Sequence, residues 1–337
     1  MAEPAGGPVL AVDRLARHFP VRGFLNRRVG IARVLDGVSF SVGKGETLGL
    51  IGESGCGKST LGKVLAGILD PDRGTIRLGT EQIAAPGQAR PATARARLQY
   101  VYQDPGAALD PRWTLRRSLD EPLVIHTDWP RERRTEKIEA IAAALGLPRA
   151  HLDLHPHEIS GGQLRRAGLA RTLILGPELV VLDEPTAGLD ASVKAAVMAL
   201  LRDLKRRFDL TYLFMSHDLP GVRSACDRIA VMYLGRIVEI GPAERIFTAP
   251  GHPYTQSLIA AVPRIGGPRL AETFTLRGEP PDPSAIPAGC RFRSRCPLAM
   301  PACADVEPEL EGDAGHEVAC LHRHSLPHAA GHRPDRP

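Results

Sequence analysis

Within a chain of 337 residues, the stretch Gly52-Glu53-Ser54-Gly55-Cys56-Gly57-Lys58-Ser59-Thr60 has the G-x-x-x-x-G-K-S spacing of a phosphate-holding loop. Glycines at 52, 55 and 57 let the backbone curl with its N–H groups facing inward, where they can cradle phosphate oxygens. Lys58 can reach the outer phosphates, and the Ser59 hydroxyl can ligate Mg²⁺. A second group of chemistry-bearing residues is Asp183-Glu184. Asp183 can hold Mg²⁺ through water, and Glu184 can polarise a water for attack on a γ-phosphate. His217 can contact that phosphate and orient Glu184, and Gln103 can contact Mg²⁺ or the attacking water. Ser160-Gly161-Gly162-Gln163 offers an N-cap serine and two glycines whose N–H groups stay open to an anion. Phe19 can stack on an adenine ring or simply pack in a core.

The surrounding pattern supplies elements to position these groups. The phosphate loop follows an apolar run, residues 47–51, and leads into residues 61–67, which can be a helix whose dipole adds a positive end. Residues 179–184 are an apolar run ending in the two acids, as suits a strand buried on both faces of a parallel sheet. Residues 98–102 and 210–215 read as further strands, ending at Gln103 and His217, so these groups share one sheet edge with Asp183. Ahead of the loop, residues 9–12 and 34–42 read as strands, with His18-Phe19-Pro20 in a basic loop between them. Residues 74–78 read as a strand and 79–97 as a surface loop. Residues 113–175 change to helical spacing (Ile138, Ile141, Ala142, Leu145), a helical insertion that ends in Ser160 and a helix beyond it. Gly188-Leu189-Asp190 is a tight turn before a helix over 192–208.

Composition bounds the class. A hydrophobic share of 43% and a charged share of 24% are ordinary for a globular protein. The net charge of +5 comes without basic blocks interleaved with aromatics, which make up only 4%, so it reads as a solvated surface and not as a nucleic-acid face. No signal peptide is visible at Met1-Ala2-Glu3-Pro4, and no run of about 18 apolar residues marks a membrane span. A cytosolic nucleotide-binding protein is the expectation.

Together these motifs resemble the nucleotide-binding subunit of an ATP-binding cassette (ABC) transporter, over residues 8–260. The carriers are the phosphate loop 52–60, Gln103, Ser160-Gly161-Gly162-Gln163, the acidic strand 179–184, Gly188-Leu189-Asp190 and His217, in that order. The serine-glycine signature inside a helical insertion separates this family from other phosphate-loop proteins. The resemblance implies an α/β fold with a mixed sheet core, an antiparallel β subdomain and an inserted helical subdomain at about 104–176. It also implies that two such domains stack head to tail, each ATP lying between one subunit's loop and the other's signature. Lys58, Ser59 and Gly57 would then serve phosphate and Mg²⁺, and Ser160 and Gly162 the partner's γ-phosphate. Glu184 would be the general base, His217 a transition-state contact, and Phe19 the adenine-stacking aromatic. Ser54, Gly55, Cys56, Thr60, Gly161, Gln163 and Asp190 complete the implied nucleotide site. Ile159 stands where the family more often has Leu, and Ala187-Gly188 replaces its commoner Ser-Ala.

Gln103-Asp104-Pro105 with Leu109-Asp110-Pro111-Arg112, Leu189-Asp190-Ala191-Ser192-Val193, and His252-Pro253-Tyr254-Thr255 resemble the dipeptide/oligopeptide (and nickel) importer subunits. That resemblance implies two transmembrane permease subunits, an extracytoplasmic solute-binding protein, a second ATPase subunit (a paralogue or a copy), and a place at the cytoplasmic face of the inner membrane. An alternative is a soluble cassette ATPase acting on nucleic acid or ribosomes, although those usually carry two cassettes in one chain.

Cys290, Cys296, Cys303 and Cys320 crowd into 31 residues with the spacing C-x5-C-x6-C-x16-C, which in a cytosolic chain points to metal more than to disulfides. Four thiolates fit either a [4Fe–4S] cluster or a structural Zn²⁺. The missing C-x2-C pair, and the similar extension of peptide-importer subunits, favour the cluster. So little apolar content suggests that residues 261–325 need such a staple to fold, and that 326–337 form a disordered tail.

Overall fold

The structure, a computed structural model, describes residues 7–23, 28–102, 105–262, 278–313 and 315–323. The chain opens with a long hairpin, β1 (Leu10–Arg22) and β2 (Arg28–Val42), then β3 (Thr47–Ile51) and α1 (Lys58–Leu65). Next come β4 (Arg73–Leu78), β5 (Glu81–Ala84), α2 (Ala92–Arg97) and β6 (Leu98–Val101). Three helices follow, α3 (Leu115–His126), α4 (Arg131–Ala144) and α5 (Gly161–Leu173). The chain then returns to a sheet through β7 (Leu179–Asp183), α6 (Ala191–Phe208), β8 (Thr211–Met215), α7 (Leu219–Ala225) and β9 (Arg228–Tyr233). It continues with β10 (Arg236–Pro242), α8 (Ala243–Thr248), α9 (Pro253–Ala260), β11 (Glu311–Asp313) and β12 (His316–Val318).

Two sheets result. One is antiparallel, in the order β2-β1-β4-β5, and the other runs β11-β12-β10-β9-β3-β8-β7-β6. Within the larger sheet, β9, β3, β8, β7 and β6 are mutually parallel. Every residue of β3, β7 and β8 is buried, which is why their central residues form continuous apolar runs instead of alternating. Parallel pairing puts the carboxyl ends of β3, β8, β7 and β6 along one edge, where loops leave the sheet and ligands of open α/β sheets bind. The insertion packs α3, α4 and α5 around Leu119, Leu123, Ile138, Ile141 and Ala170, all buried in the same core as β7 and β8.

Two sequence expectations differ from what is seen. His18-Phe19-Pro20 lie within β1, not in a loop, because the hairpin extends to Arg22. Register shifts between Val12 and Leu15 and between Arg17 and His18 break the period-2 pattern that would have announced a long strand. Residues 79–97 hold β5 and α2, both too short to show a period, yet Ile83 and Ala94 are buried. The C-terminal extension packs on the main body. Its hairpin β11–β12 adds to the main sheet through Glu239↔Val318 and Ile240↔Glu317, and Phe292 is buried in the main core. The tail read over 326–337 lies outside the described residues.

Candidate active site

The phosphate loop leaves β3, which lies between β9 and β8, and enters α1, as its sequence predicts. Two glycines are sterically required. A Cβ at Gly52 would meet the Met232 carbonyl oxygen at 2.2 Å, and Gly57, the N-cap of α1, holds φ 115° with the Val34 carbonyl 2.7 Å from where its Cβ would be. Lys58 is buried and its ammonium donates to the carbonyls of Gly52 (2.7 Å) and Glu53 (3.1 Å), so the charge sits at the centre of the loop. Cys56, buried beside it with its sulfur 3.8 Å from Nζ, has its thiol pushed up by burial. Ser54 and Gly55 form the exposed lip, and Ser59 and Thr60 lie in the first turn of the helix.

The adjacent strands bring their groups to this loop. Ser59 Oγ donates to Asp183 Oδ1 at 3.3 Å, so a hydroxyl and a carboxylate, the hard oxygen donors Mg²⁺ prefers, already face each other. Tyr100 on β6 donates its hydroxyl to the other oxygen, Asp183 Oδ2. Burial and that carboxylate hold the Tyr100 phenol protonated. One residue on, Glu184 takes φ 50°, a left-handed conformation rare for a non-glycine residue, and its N–H donates to Met215 O at 2.9 Å. Glu184 Oε1 lies 2.8 Å from His217 Nδ1, and Ser216 Oγ donates to Oε2 at 3.3 Å. The strained backbone thus turns the carboxylate off the end of β7 to meet the end of β8.

Ser160 caps α5 as its sequence predicts. It donates its N–H to Gln163 Oε1 (3.0 Å) and accepts from Gln163 N–H (3.4 Å), a reciprocal capping box. Ser160, Gly161 and Gly162 are exposed, and nothing lies within 4 Å of a Cβ built on either glycine. The side-chain bonds of this turn among the described residues stay within itself, and it is not brought to the phosphate loop of its own chain. Asp190 caps α6, and the Val193 N–H, then the Ser192 hydroxyl, hold its carboxyl below the usual range. Phe19 belongs to the smaller sheet, half-buried with the Arg17 guanidinium 5.1 Å from its ring centre. Gln103 lies outside the described residues.

Sequence reasoning missed Tyr100, Ser216 and a group of residues around Glu53. Glu53 donates its N–H to the Tyr254 hydroxyl at 2.8 Å, and its carboxylate is paired with Arg295. Tyr100 and Ser216 become legible only once β6, β7 and β8 are known to be neighbours.

The four clustered cysteines occupy one lobe. Cys290 N–H donates to Cys303 O at 2.9 Å, and His322 N–H donates to the Cys320 sulfur at 3.4 Å. Burial pushes the Cys290 and Cys296 thiols up and takes Cys320 to about 11, and the charges of the other three sulfurs add to the Cys320 shift. So the sulfurs lie within electrostatic reach of one another, in surroundings where a thiolate needs a cation to be stable. Among the described residues, however, no three or more His, Cys, Asp or Glu side chains are placed to hold a metal ion. The donor chemistry suits a thiolate-bound group, while the side chains do not close on a common ion.

The family model described as ABC transporter matches residues 35–187, and that described as Oligopeptide/dipeptide transporter, C-terminal region, matches 238–303. The oligopeptide transport ATP-binding protein AppF of Bacillus subtilis is 43% identical over 317 residues, covering 93% of this chain and 96% of that protein. The dipeptide transport ATP-binding protein DppF of Escherichia coli is 41% identical over 314 residues, covering 93% and 94%. Among solved structures, cbiO1 of Clostridium perfringens, part of the ABC transporter complex cbiONQ, superposes with a TM-score of 0.61 at 26% identity, over 71% of this chain and 90% of that one.

Proposed function

The chain belongs to the ATP-binding subunits of ABC transporters, in the branch with the oligopeptide/dipeptide C-terminal region, and from that premise we propose how its residues hydrolyse ATP to drive import of a peptide or related small solute. The backbone of the loop, with Gly52, Ser54, Gly55, Cys56, Gly57 and Thr60, cradles the phosphates while Lys58 neutralises the outer ones. Mg²⁺, held by Ser59, by Asp183 through water and by Gln103, would offset charge on the β- and γ-phosphates. Phe19 takes the adenine. Glu184 accepts a proton from the water that attacks the γ-phosphorus, and His217 holds Glu184 in place and contacts the phosphate. Ser160, Gly161, Gly162 and Gln163, exposed on a capped helix end, serve the triphosphate of a second ATPase subunit, a paralogue or a copy, with Asp190 at the seam. Two permease subunits and an extracytoplasmic solute-binding protein complete the assembly. Kinship with the ATP-binding subunits of peptide importers supports peripheral attachment at the cytoplasmic face, and no described helix is long and apolar enough to cross a membrane. The alternative action on nucleic acid or ribosomes has no support among the relatives and is not carried forward.

One observation carries the mechanism: Glu184, strained at φ 50°, meets His217 and Ser216 at the same sheet edge as Lys58, Ser59 and Asp183. Glu184→Gln should lower ATP turnover by about 10²–10⁴-fold, the usual worth of a general base, while ATP binding persists. Normal turnover in that variant would remove Glu184 from the mechanism.

The division near residue 260, between nucleotide-binding domain and extension, is then one of role more than of packing, since β12 completes the core sheet. Within the extension, the donor chemistry of Cys290, Cys296, Cys303 and Cys320 is what speaks for a four-thiolate [4Fe–4S] site, with Zn²⁺ as the alternative, although the side chains as placed do not close on a common ion. Purified protein should contain iron and absorb near about 400 nm. Stoichiometric zinc in colourless protein supports the alternative, and folded protein free of both metals overturns the site.

A further inference from the structure

The extension reaches into the phosphate loop through one side chain. Arg295, next to Cys296, has a side chain only 4% exposed, and it clasps Glu53 with two parallel bonds, Nη1 to Oε2 at 2.6 Å and Nη2 to Oε1 at 2.9 Å. This is the planar fork that matches a carboxylate best. Glu53 is the second residue of the loop, and the rest of it is also held. Its N–H donates to the Tyr254 hydroxyl at 2.8 Å, and its carbonyl accepts from Lys58 Nζ at 3.1 Å. Tyr254 in turn packs against Phe292 of the extension (ring centres 5.5 Å apart), and the Arg295 guanidinium lies 5.8 Å from the Tyr233 ring centre. Arg295 is itself fixed within its turn, its N–H donating to Phe292 O at 3.0 Å. The loop's entry is thus clamped by two residues distant in sequence, and one belongs to the cysteine lobe.

We propose that Arg295 is a positioning residue for nucleotide binding: through Glu53 it holds the phosphate loop open in the shape that receives a triphosphate, so the order of the cysteine lobe sets the affinity for ATP. The proposal rests on reading residues 52–60 as the phosphate site. The physical ground is the cost of ordering a loop. A loop already held in its binding shape spends less of the binding energy on being ordered, and a nearly buried bidentate pair holds shape better than an exposed one. Lys58 is coupled to the same point, because the Glu53 carbonyl that accepts from its ammonium moves if the Glu53 side chain is released.

The test uses the full chain. Affinity for trinitrophenyl-ATP and for MgATP is measured, with kcat and KM in the assembled transporter, for Arg295→Ala, Arg295→Lys, Glu53→Gln and the Arg295→Ala/Glu53→Gln double variant, and thermal melts monitor folding. Arg295→Ala and Glu53→Gln should each weaken nucleotide binding about tenfold and raise KM similarly, with kcat within about twofold. Arg295→Lys should fall between, since it keeps the charge and loses the fork. The double variant should be no worse than Arg295→Ala, as the two groups act as one unit. Should Arg295→Ala not fold, Glu53→Gln carries the test, because that side chain is 26% exposed and keeps its shape. Parental affinity in folded Glu53→Gln and Arg295→Lys overturns the proposal. Lys58→Ala separates the two readings: lost binding there with unaltered binding in the clamp variants defeats the clamp alone, while retained binding defeats the phosphate-site reading and the clamp with it.

Discussion

His252 links the ATPase core to the extension, and its surroundings keep it neutral. Burial takes its imidazole down to about 4, against a smaller upward pull from Glu239. The neutral ring caps α9, Nδ1 accepting from the Tyr254 N–H at 3.0 Å, and protonation there would abolish the bond. Since the unfolded ring titrates near 6.5, the unfolded chain binds a proton that the folded chain refuses between 6.5 and about 4. Stability should therefore fall as pH drops through that window, by on the order of 3 kcal/mol at its acid end. Denaturant melts from pH 7.5 to 5 check this (about the range in which free histidine titrates). His252→Asn keeps a capping oxygen and removes the titration, so its melts should depend less on pH. An unchanged slope would show that other groups govern the loss. At this scale the candidate site residues Asp183, Glu184 and His217 were legible, because each stands at or just past the end of an apolar run. Glu239 was not: it is fully buried, accepting from Gly251 N–H, His252 N–H and His316, and nothing in its sequence neighbourhood marks it.

Elements do the positioning, and their types were easier to read than their neighbours. Continuous apolar runs announced β3, β7 and β8, and the N-cap serine Ser160 announced the start of α5. The order β9-β3-β8-β7-β6 is not written in any local pattern, so Tyr100 facing Asp183 could not be foreseen. Bulges hid the length of β1, and shortness hid β5 and α2. The close fit between the phosphate loop and β9 gives a sharp test of the element scale. Gly52→Ala places a methyl 2.2 Å from Met232 O and 2.8 Å from Cys56 Sγ, so either the loop or β9 must move. ATP binding should drop by more than about tenfold, with about 1–3 kcal/mol of stability lost to overpacking, read by nucleotide titration and denaturant melts. Wild-type affinity in that variant would mean the loop tolerates a shape the sheet does not permit.

Across the molecule, the extension is stitched to the ATPase core at several points. Arg291 donates to Leu234 O and pairs with Asp36, Arg295 pairs with Glu53, and β12 pairs with β10. The cysteines and arginines of the extension were visible as residue types, but the carboxylates that Arg291 and Arg295 reach in the core, Asp36 and Glu53, lie more than 200 positions earlier, beyond the reach of any spacing argument. The pairing of β12 with β10 has a consequence for biosynthesis. Val318 is made 78 residues after Ile240, which at about 5–20 residues per second is a delay of about 4–16 s. Throughout that interval the nascent polypeptide carries β10 as a bare sheet margin, with backbone donors and acceptors that a neighbouring growing chain could seize. Translation speed over the stretch between these two strands thus sets how long each new molecule is exposed to misassembly with its siblings.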